Sequence, residues 1–257
     1  MAVNTHSISR HALGLSPMIS EYRYQCIRHF WDIIYREAAE SKHKYVIFSC
    51  IDEQTFIQDF DEPHSHLHTD FFPQFQVLLA KVPWRAHEQA YHGMNKILID
   101  KLKAMNVGND LQLLGTADVK SPERTKRPDL SYLPEQLPAG WPDHWPSVVG
   151  ECAYSENQSK LACDAHWWLD ASGGEVKTVL AITVAEPAKK VPEVVQKVVA
   201  SQGANDSPVH ITGAPLVIGF EELFLRPAEE EKGEGDIIIG EVDLTMLAEK
   251  VWKRQFG

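Results

Sequence analysis

Three acidic residues in the middle of the chain have the types and spacing needed for metal-dependent chemistry. Glu88 lies in HEQAYHGM, Asp129 follows Pro128 in KRPDLSYLP, and Glu151 lies in SVVGECAYS. Asp129 and Glu151 are 22 positions apart, so two neighbouring strands could bring both carboxylates to one edge of a sheet. Mg²⁺ binds one or two carboxylates together with waters and substrate phosphate oxygens. A bound metal can then activate water and neutralise the charge that develops on a phosphodiester.

Each of these acids also has an ordinary structural explanation. An Asp after a Pro often forms a turn, and Glu151 beside Gly150 could face solvent on an edge strand. Glu88 is a favourable residue for the first turn of a helix. The metal-site hypothesis therefore depends on all three acids occurring in the right order between the right elements.

The apolar periodicity predicts the elements that would position these acids. Helical spacing predicts helices at residues 16–41, 86–105, 156–170 and 244–255, and Ser155 with Gln158 forms a capping box for the third. Residues 52–73 mix acids, His and Pro and are predicted to form a loop. Strands are predicted at residues 45–51, 111–119, 127–133, 147–154, 176–185, 215–225 and 236–242.

The order of these elements and acids resembles the PD-(D/E)XK restriction-endonuclease-like superfamily, and in particular its fungal members. The resemblance covers roughly residues 86–185, from the helix with Glu88, through the PD pair at 128–129, to SENQSKLACDAHWWLDASGGEVKTVLAITV. It implies an α/β fold with a restriction-endonuclease-like αβββαβ core and a mixed sheet. It also implies Mg²⁺ or Mn²⁺ held by Asp129 and Glu151, with Glu88 as an auxiliary acid, and hydrolysis of a nucleic-acid phosphodiester.

The rest of the chain is expected to enlarge this core without forming a second domain, because no long linker separates two parts. We expect a single domain over residues 1–257, with the core at about 86–185. The extension at 1–85 would add a helix and a strand, and the extension at 186–257 would add a C-terminal helix.

The sequence departs from the superfamily pattern two positions after the strand acid, where a lysine would act on the water or the phosphate. Ala153 stands there, on the same face of the strand as Glu151. Lys160 on the following helix is the first candidate to supply the amine, with Gln158 as a polar stand-in that could also bind substrate. Lys126 before the PD pair is the other option for the amine. Two hypotheses remain open: a nuclease with a rearranged lysine, and a catalytically inactive relative that serves as a binding or interaction module.

A basic run precedes the PD pair and could bind nucleic acid. It contains Lys120, Arg124, Lys126 and Arg127, of which Lys126 and Arg127 lie nearest to the proposed site. The run could hold the phosphate backbone of DNA or RNA, or it could be a solvated loop.

A second possible metal site lies in EPHSHLHTD, where His64, His66 and His68 alternate before Asp70. Alternate residues of an extended segment share a face, so these imidazoles could bind zinc. Histidine-rich loops are also commonly solvated, and both interpretations stay open.

The composition excludes several other classes of protein. The 257 residues are 44% hydrophobic and 24% charged, which is typical of globular proteins and not of disordered or fibrous ones. The net charge of −11 has the wrong sign for coating nucleic acid non-specifically, so any contact with DNA or RNA must be local. The chain contains no run of about 18 apolar residues, so neither a membrane-spanning helix nor a membrane partner is expected. The four cysteines are widely spaced, which predicts reduced thiols in an intracellular, cytoplasmic or nuclear protein.

Overall fold

The computed structural model describes residues 10–40, 44–60, 67–115, 117–154, 158–184, 196–202 and 208–256. Its helices are α1 (Ile27–Glu40), α2 (Glu53–Asp59), α3 (Arg85–Ala104), α4 (Gln158–Ala171), α5 (Phe220–Phe224) and α6 (Glu241–Phe256). Its strands are β1 (Glu21–Arg23), β2 (Tyr45–Ser49), β3 (Thr69–Phe72), β4 (Val77–Lys81), β5 (Leu111–Leu113), β6 (Val119–Lys120), β7 (Thr125–Lys126), β8 (Leu130–Pro134), β9 (Val148–Tyr154), β10 (Thr178–Val184), β11 (Val199–Gln202), β12 (Val209–Thr212), β13 (Leu216–Ile218) and β14 (Ile237–Ile239). Within these ranges, every helix is too short or too polar to cross a bilayer.

Four strands form a mixed sheet, called the core sheet here, in the order β10-β9-β8-β5. β8 is antiparallel to both β5 and β9, whereas β9 is parallel to β10. α3 precedes the sheet, and α4 forms the crossover connection that a parallel pair requires. The predicted α/β class, with an αβββαβ core and a mixed sheet, is therefore confirmed.

The two faces of the core sheet pack against different elements. One face carries Val148, Cys152 and Leu180 into the largest apolar cluster, which also contains residues of α3, α5 and α6. The opposite face is covered by α4, whose Trp168 is completely buried against Val149. Asp129 and Glu151 belong to this second face.

Six strands form a second sheet, called the N-terminal sheet here, in the order β1-β2-β4-β3-β7-β6. One face packs on α1 and α2 through an aromatic-rich cluster that includes Phe30 and Phe48. The other face turns Tyr45 and Lys81, which are cross-strand partners, toward the core sheet, where they line a cavity together with Glu151. The chain passes from one sheet to the other between β7 and β8, directly before Asp129.

The N-terminal part differs from the sequence prediction in two places. α1 begins at Ile27 and not at residue 16, because Glu21–Arg23 pairs in parallel with β2 and the sheet contact outweighs the helical pattern. Residues 52–73 are not all loop, because the Asp52 carboxylate accepts a hydrogen bond from the Thr55 N–H and caps α2, and β3 follows. The fully buried strand β4 is an addition that the sequence prediction lacked.

The C-terminal part also differs in detail. The predicted strand at 215–225 divides into β13 and α5, and β11 pairs with β12 in a separate hairpin. α6 confirms the predicted closing helix. Ser155, the first residue of the predicted capping box, lies outside the described residues.

Candidate functional site

Asp129 lies at the centre of the candidate site and is only 1% exposed. Its backbone N–H donates to the carbonyl of Gly150 across the β8–β9 ladder, so its neighbour across the ladder is Glu151. The Lys81 ammonium lies 2.9 Å from Oδ1 and 2.6 Å from Oδ2 of Asp129. The backbone N–H of Cys152 donates to the same Oδ2 at 2.6 Å.

Two histidines flank the Asp129 carboxylate. His87 Nε2 lies 3.1 Å from Oδ2, close enough for an ion pair but off the line of a well-aligned hydrogen bond. His68 Nδ1 lies 3.1 Å from both Oδ1 and the carbonyl of Pro128. Burial lowers the pKa of His68 to about 4, so this ring is neutral near pH 7. Burial alone would raise the pKa of Asp129, but the charges of Lys81 and His87 hold it well below its usual range.

Glu88 is connected to Asp129 through His87. Its side chain is 39% exposed, with Oε1 3.3 Å from His87 Nδ1, and its Oε2 accepts a hydrogen bond from the Tyr91 hydroxyl at 2.5 Å. Burial opposes ionisation of Glu88, but the bonds from His87 and Tyr91 outweigh it and lower the pKa to about 2. Glu88 therefore orients a neighbour of Asp129 and does not itself contact Asp129 in the described contacts.

Glu151 points from β9 to the same side of the core sheet as Asp129. Its Oε1 accepts a hydrogen bond from the Trp168 indole N–H at 2.8 Å and lies 3.1 Å from the Lys126 ammonium. Burial raises the pKa of Glu151, Lys126 opposes this rise, and the charge of Asp129 adds to it. The structure thus brings the two sequence-predicted acids together, each beside a buried lysine.

The two lysine candidates occupy different positions. Lys126 lies between Glu151 and Asp164, 3.1 Å from each carboxylate. Lys160 is also buried, but its ion pairs are with Asp164 at 2.5 Å and with Asp70 at 3.1 Å. Lys126 is therefore the candidate amine that reaches the acid of β9.

The basic run before the PD pair is not a solvated loop. Arg124 is buried, its guanidinium pairs with both Asp70 and Asp164, and it lies 4.5 Å from the centre of the Trp167 ring. Arg127 pairs with Asp118 at 2.7 Å and also donates to a backbone carbonyl. Lys120 is exposed.

Together these contacts form what we call the buried ionic cluster, in which four cations face four carboxylates. Each member is at most 7% exposed, and the formal charges cancel. Its members are Lys81, Arg124, Lys126, Lys160, Asp70, Asp129, Glu151 and Asp164. The cluster joins the N-terminal sheet to the core sheet and α4.

A small cavity lies inside the cluster. Its volume is about 10 Å³, the space that one water molecule needs. Tyr45, Lys81, Lys126, Glu151 and Lys160 are among the residues that line it. The cavity can hold water but has no room for a phosphate group.

The donor set fits a hard divalent cation only in part. Asp129 and Glu151 offer the carboxylate oxygens that Mg²⁺ prefers, but the Lys81 ammonium already neutralises Asp129. In the part of the chain that the structure describes, no group of three or more His, Cys, Asp or Glu side chains is arranged to hold a metal. A divalent ion would therefore have to displace Lys81 and complete its shell with water and substrate oxygens.

The remaining sequence-predicted residues contribute less. Gln158 begins α4 and is half-buried. Of the alternating histidines, His64 and His66 lie outside the described residues, while His68 faces Asp129 and Asp70 faces Arg124. Sequence reasoning missed Lys81 as a partner of Asp129, because Lys81 lies on β4, a strand that the sequence did not reveal. It also missed His87, which lies on the predicted helix α3 but approaches Asp129 only through the tertiary fold.

Comparison with known proteins adds one likeness. No family model and no curated protein matches the chain. A solved structure described as a "putative nuclease belonging to DUF820" from Anabaena variabilis matches at a TM-score of 0.44 and 11% identity, over 79% of this chain and 99% of that chain. The assignment of the αβββαβ core therefore rests on the strand order and pairing of the chain itself. Fold and site together define an α/β protein with paired acids on neighbouring strands of a mixed sheet.

Proposed function

We propose that the protein is a metal-dependent nuclease of the PD-(D/E)XK type in which Lys126 replaces the missing strand lysine. The observation that carries the proposal is the 3.1 Å approach of the Lys126 ammonium to Glu151 Oε1. Ala153, at the usual lysine position, lies on the same face of β9 as Glu151. An amine from β7 therefore lies near the place where the superfamily pattern expects one from β9.

The residues would divide the work as follows. Asp129 and Glu151 would hold Mg²⁺ or Mn²⁺, which when bound supplies Lewis-acid activation of water and neutralises charge on the phosphate. Burial alone would lower the pKa of Lys126. The negative charges of Asp164 and Glu151 raise this pKa by more than burial lowers it, so the net shift is upward. Lys126 is therefore a charged hydrogen-bond donor to the phosphate, not a base that accepts a proton. Trp168 fixes the orientation of Glu151 through its indole N–H.

The substrate of this proposal is a local stretch of DNA or RNA. The cavity admits about one water, so a phosphate can enter only if contacts between the N-terminal sheet and the core sheet open. A bound cation would take the place of the Lys81 ammonium beside the Asp129 carboxylate. Arg124 and Arg127 are occupied by internal carboxylates, whereas Lys120 is exposed and lies at the surface that a nucleic-acid backbone would meet.

The experiment is a cleavage assay with end-labelled single-stranded and double-stranded DNA and RNA in Mg²⁺ or Mn²⁺. We expect cleavage with at least one of these substrates, complete loss on addition of EDTA, and recovery when Mn²⁺ is added in excess. Heat-inactivated protein and an Asp129→Asn variant, purified in the same way, control for contaminating nucleases. Equal cleavage with and without EDTA would contradict the proposal.

A second candidate function is a catalytically inactive binding or interaction module on the same fold. It is favoured by the exact pairing of charges in the buried ionic cluster, whose four cations and four carboxylates need no external ion. The same assay separates the two candidates. A folded wild-type protein that cleaves none of the four substrates in either metal would favour the module.

A further inference from the structure

The edges of the two main sheets are unequal. The edge strands β1, β5 and β6 contain three, three and two residues. β10, the remaining edge, contains seven residues, TVLAITV. Proteins usually protect sheet edges by keeping them short or by placing charges or Pro on them, and β10 has none of these features.

In the part of the chain that the structure describes, β10 pairs with β9 alone. Leu180 and Val184 are buried on the face that packs with α3. Ala181 and Thr183 point to the other face and are exposed. Among the described residues, β10 therefore offers an open row of backbone donors and acceptors beside side chains that carry no charge.

We propose that a second copy of this chain pairs antiparallel with β10, about a twofold axis at Ala181. Thr178 would then face Val184 of the second copy, and Leu180 would face its Ile182. The paired positions differ by an even number of residues, so they lie on the same face of β10. The core-facing side chains of both copies therefore fall on the same side of one continuous sheet. Each copy carries a net charge of −11, and an uncharged strand lets the copies meet without placing like charges directly opposite each other.

The surroundings of β10 suit this arrangement. α4 packs over both β9 and β10, so the α4 helices of two copies would lie about 10 Å apart, an ordinary helix-packing distance. Trp167 and Leu169 point about 100° to either side of buried Trp168. Trp167 contacts Arg124, so Leu169, which is 41% exposed, lies on the opposite side of α4. The second copy would cover it. This inference does not depend on the proposed catalytic activity.

The first test is the mass in solution, measured by light scattering after gel filtration. We expect twice the chain mass of 29.0 kDa for the wild type and a single chain for Ala181→Lys, which would place two ammonium groups together at the twofold axis. Leu113→Lys, an exposed position on the short opposite edge β5, is the matched control and should remain a dimer. A monomeric wild type, or a dimeric Ala181→Lys, would overturn the proposal.

The second test fixes the register and does not rely on a disruptive substitution. In a background with the exposed cysteines Cys26 and Cys50 changed to Ser, Ala181→Cys places two thiols opposite each other, with Cβ atoms about 5 Å apart. Mild oxidation should link the two copies. In the proposed register, position 183 of one chain lies about 13 Å along the strand from position 183 of the other chain. Thr183→Cys, which is equally exposed, should therefore not link. Equal linkage of both variants, or linkage of neither, would overturn the proposed pairing.

Discussion

Replacing Lys126 with Met is expected to lower the rate of phosphodiester cleavage by about 10²–10³, the usual loss when one charge-stabilising donor is removed from a site. The effect should appear in the single-turnover rate, because Lys126 is proposed to act on the reacting phosphate. Lys120→Met removes an exposed lysine from the same basic run and serves as the control. It should weaken substrate binding at low salt, where phosphate contacts are strongest, and leave the single-turnover rate at saturation unchanged.

A rescue experiment separates this catalytic role from a structural one. Adding Ala153→Lys to Lys126→Met returns an amine to the usual superfamily position, on the same face of β9 as Glu151. Part of the lost activity should return, because both acids are still in place. If Lys126→Met, verified as folded by circular dichroism, cleaves as fast as the wild type, Lys126 is not the catalytic amine.

Replacing Arg124 with Met is expected to reduce the free energy of unfolding by about 3–5 kcal/mol, since removing one partner of a buried ion pair leaves uncompensated charge. Arg124 holds Asp70 of the N-terminal sheet and Asp164 of α4 at once, and both carboxylates are buried. Urea unfolding followed by tryptophan fluorescence measures the change.

The matched control for Arg124 is Lys96→Met. Lys96 pairs with Asp100 at 2.6 Å on the exposed side of α3, where both side chains are more than half exposed. Such surface pairs contribute about 0–1 kcal/mol. A loss for Arg124→Met no larger than the loss for Lys96→Met would show that the buried ionic cluster does not hold the two sheets together.

The meeting of Asp129 and Glu151 could be predicted from the sequence because it depends on neighbouring strands. β8 and β9 follow one another along the chain, so the pattern of each strand and the loop between them were enough to place the two acids side by side. The helices α3 and α4 and the strand β10 also lie where the sequence pattern predicted them. The order of these elements as an αβββαβ core came from the resemblance to the restriction-endonuclease-like superfamily.

The partners of these acids could not be predicted, because they come from distant parts of the chain. Lys81 reaches Asp129 across 48 positions and Lys160 reaches Asp70 across 90. These contacts exist only because the N-terminal sheet packs on the core sheet. Arg124 was predicted as part of a possible phosphate-binding loop for the same reason: the sequence carries no sign that Asp70 and Asp164 enclose it.

The most direct test of the proposed metal site is Mn²⁺ binding by isothermal titration calorimetry to the wild type, Lys81→Met and Asp129→Asn. Lys81 competes with a cation for Asp129, so its removal should tighten Mn²⁺ binding. Bound Mn²⁺ should also raise the melting temperature of Lys81→Met, because a ligand that binds only the folded state stabilises it. Asp129→Asn, checked for folding, should lose the site. Absence of Mn²⁺ binding from both the wild type and Lys81→Met, or equal binding to Asp129→Asn, would contradict a metal site formed by Asp129 and Glu151.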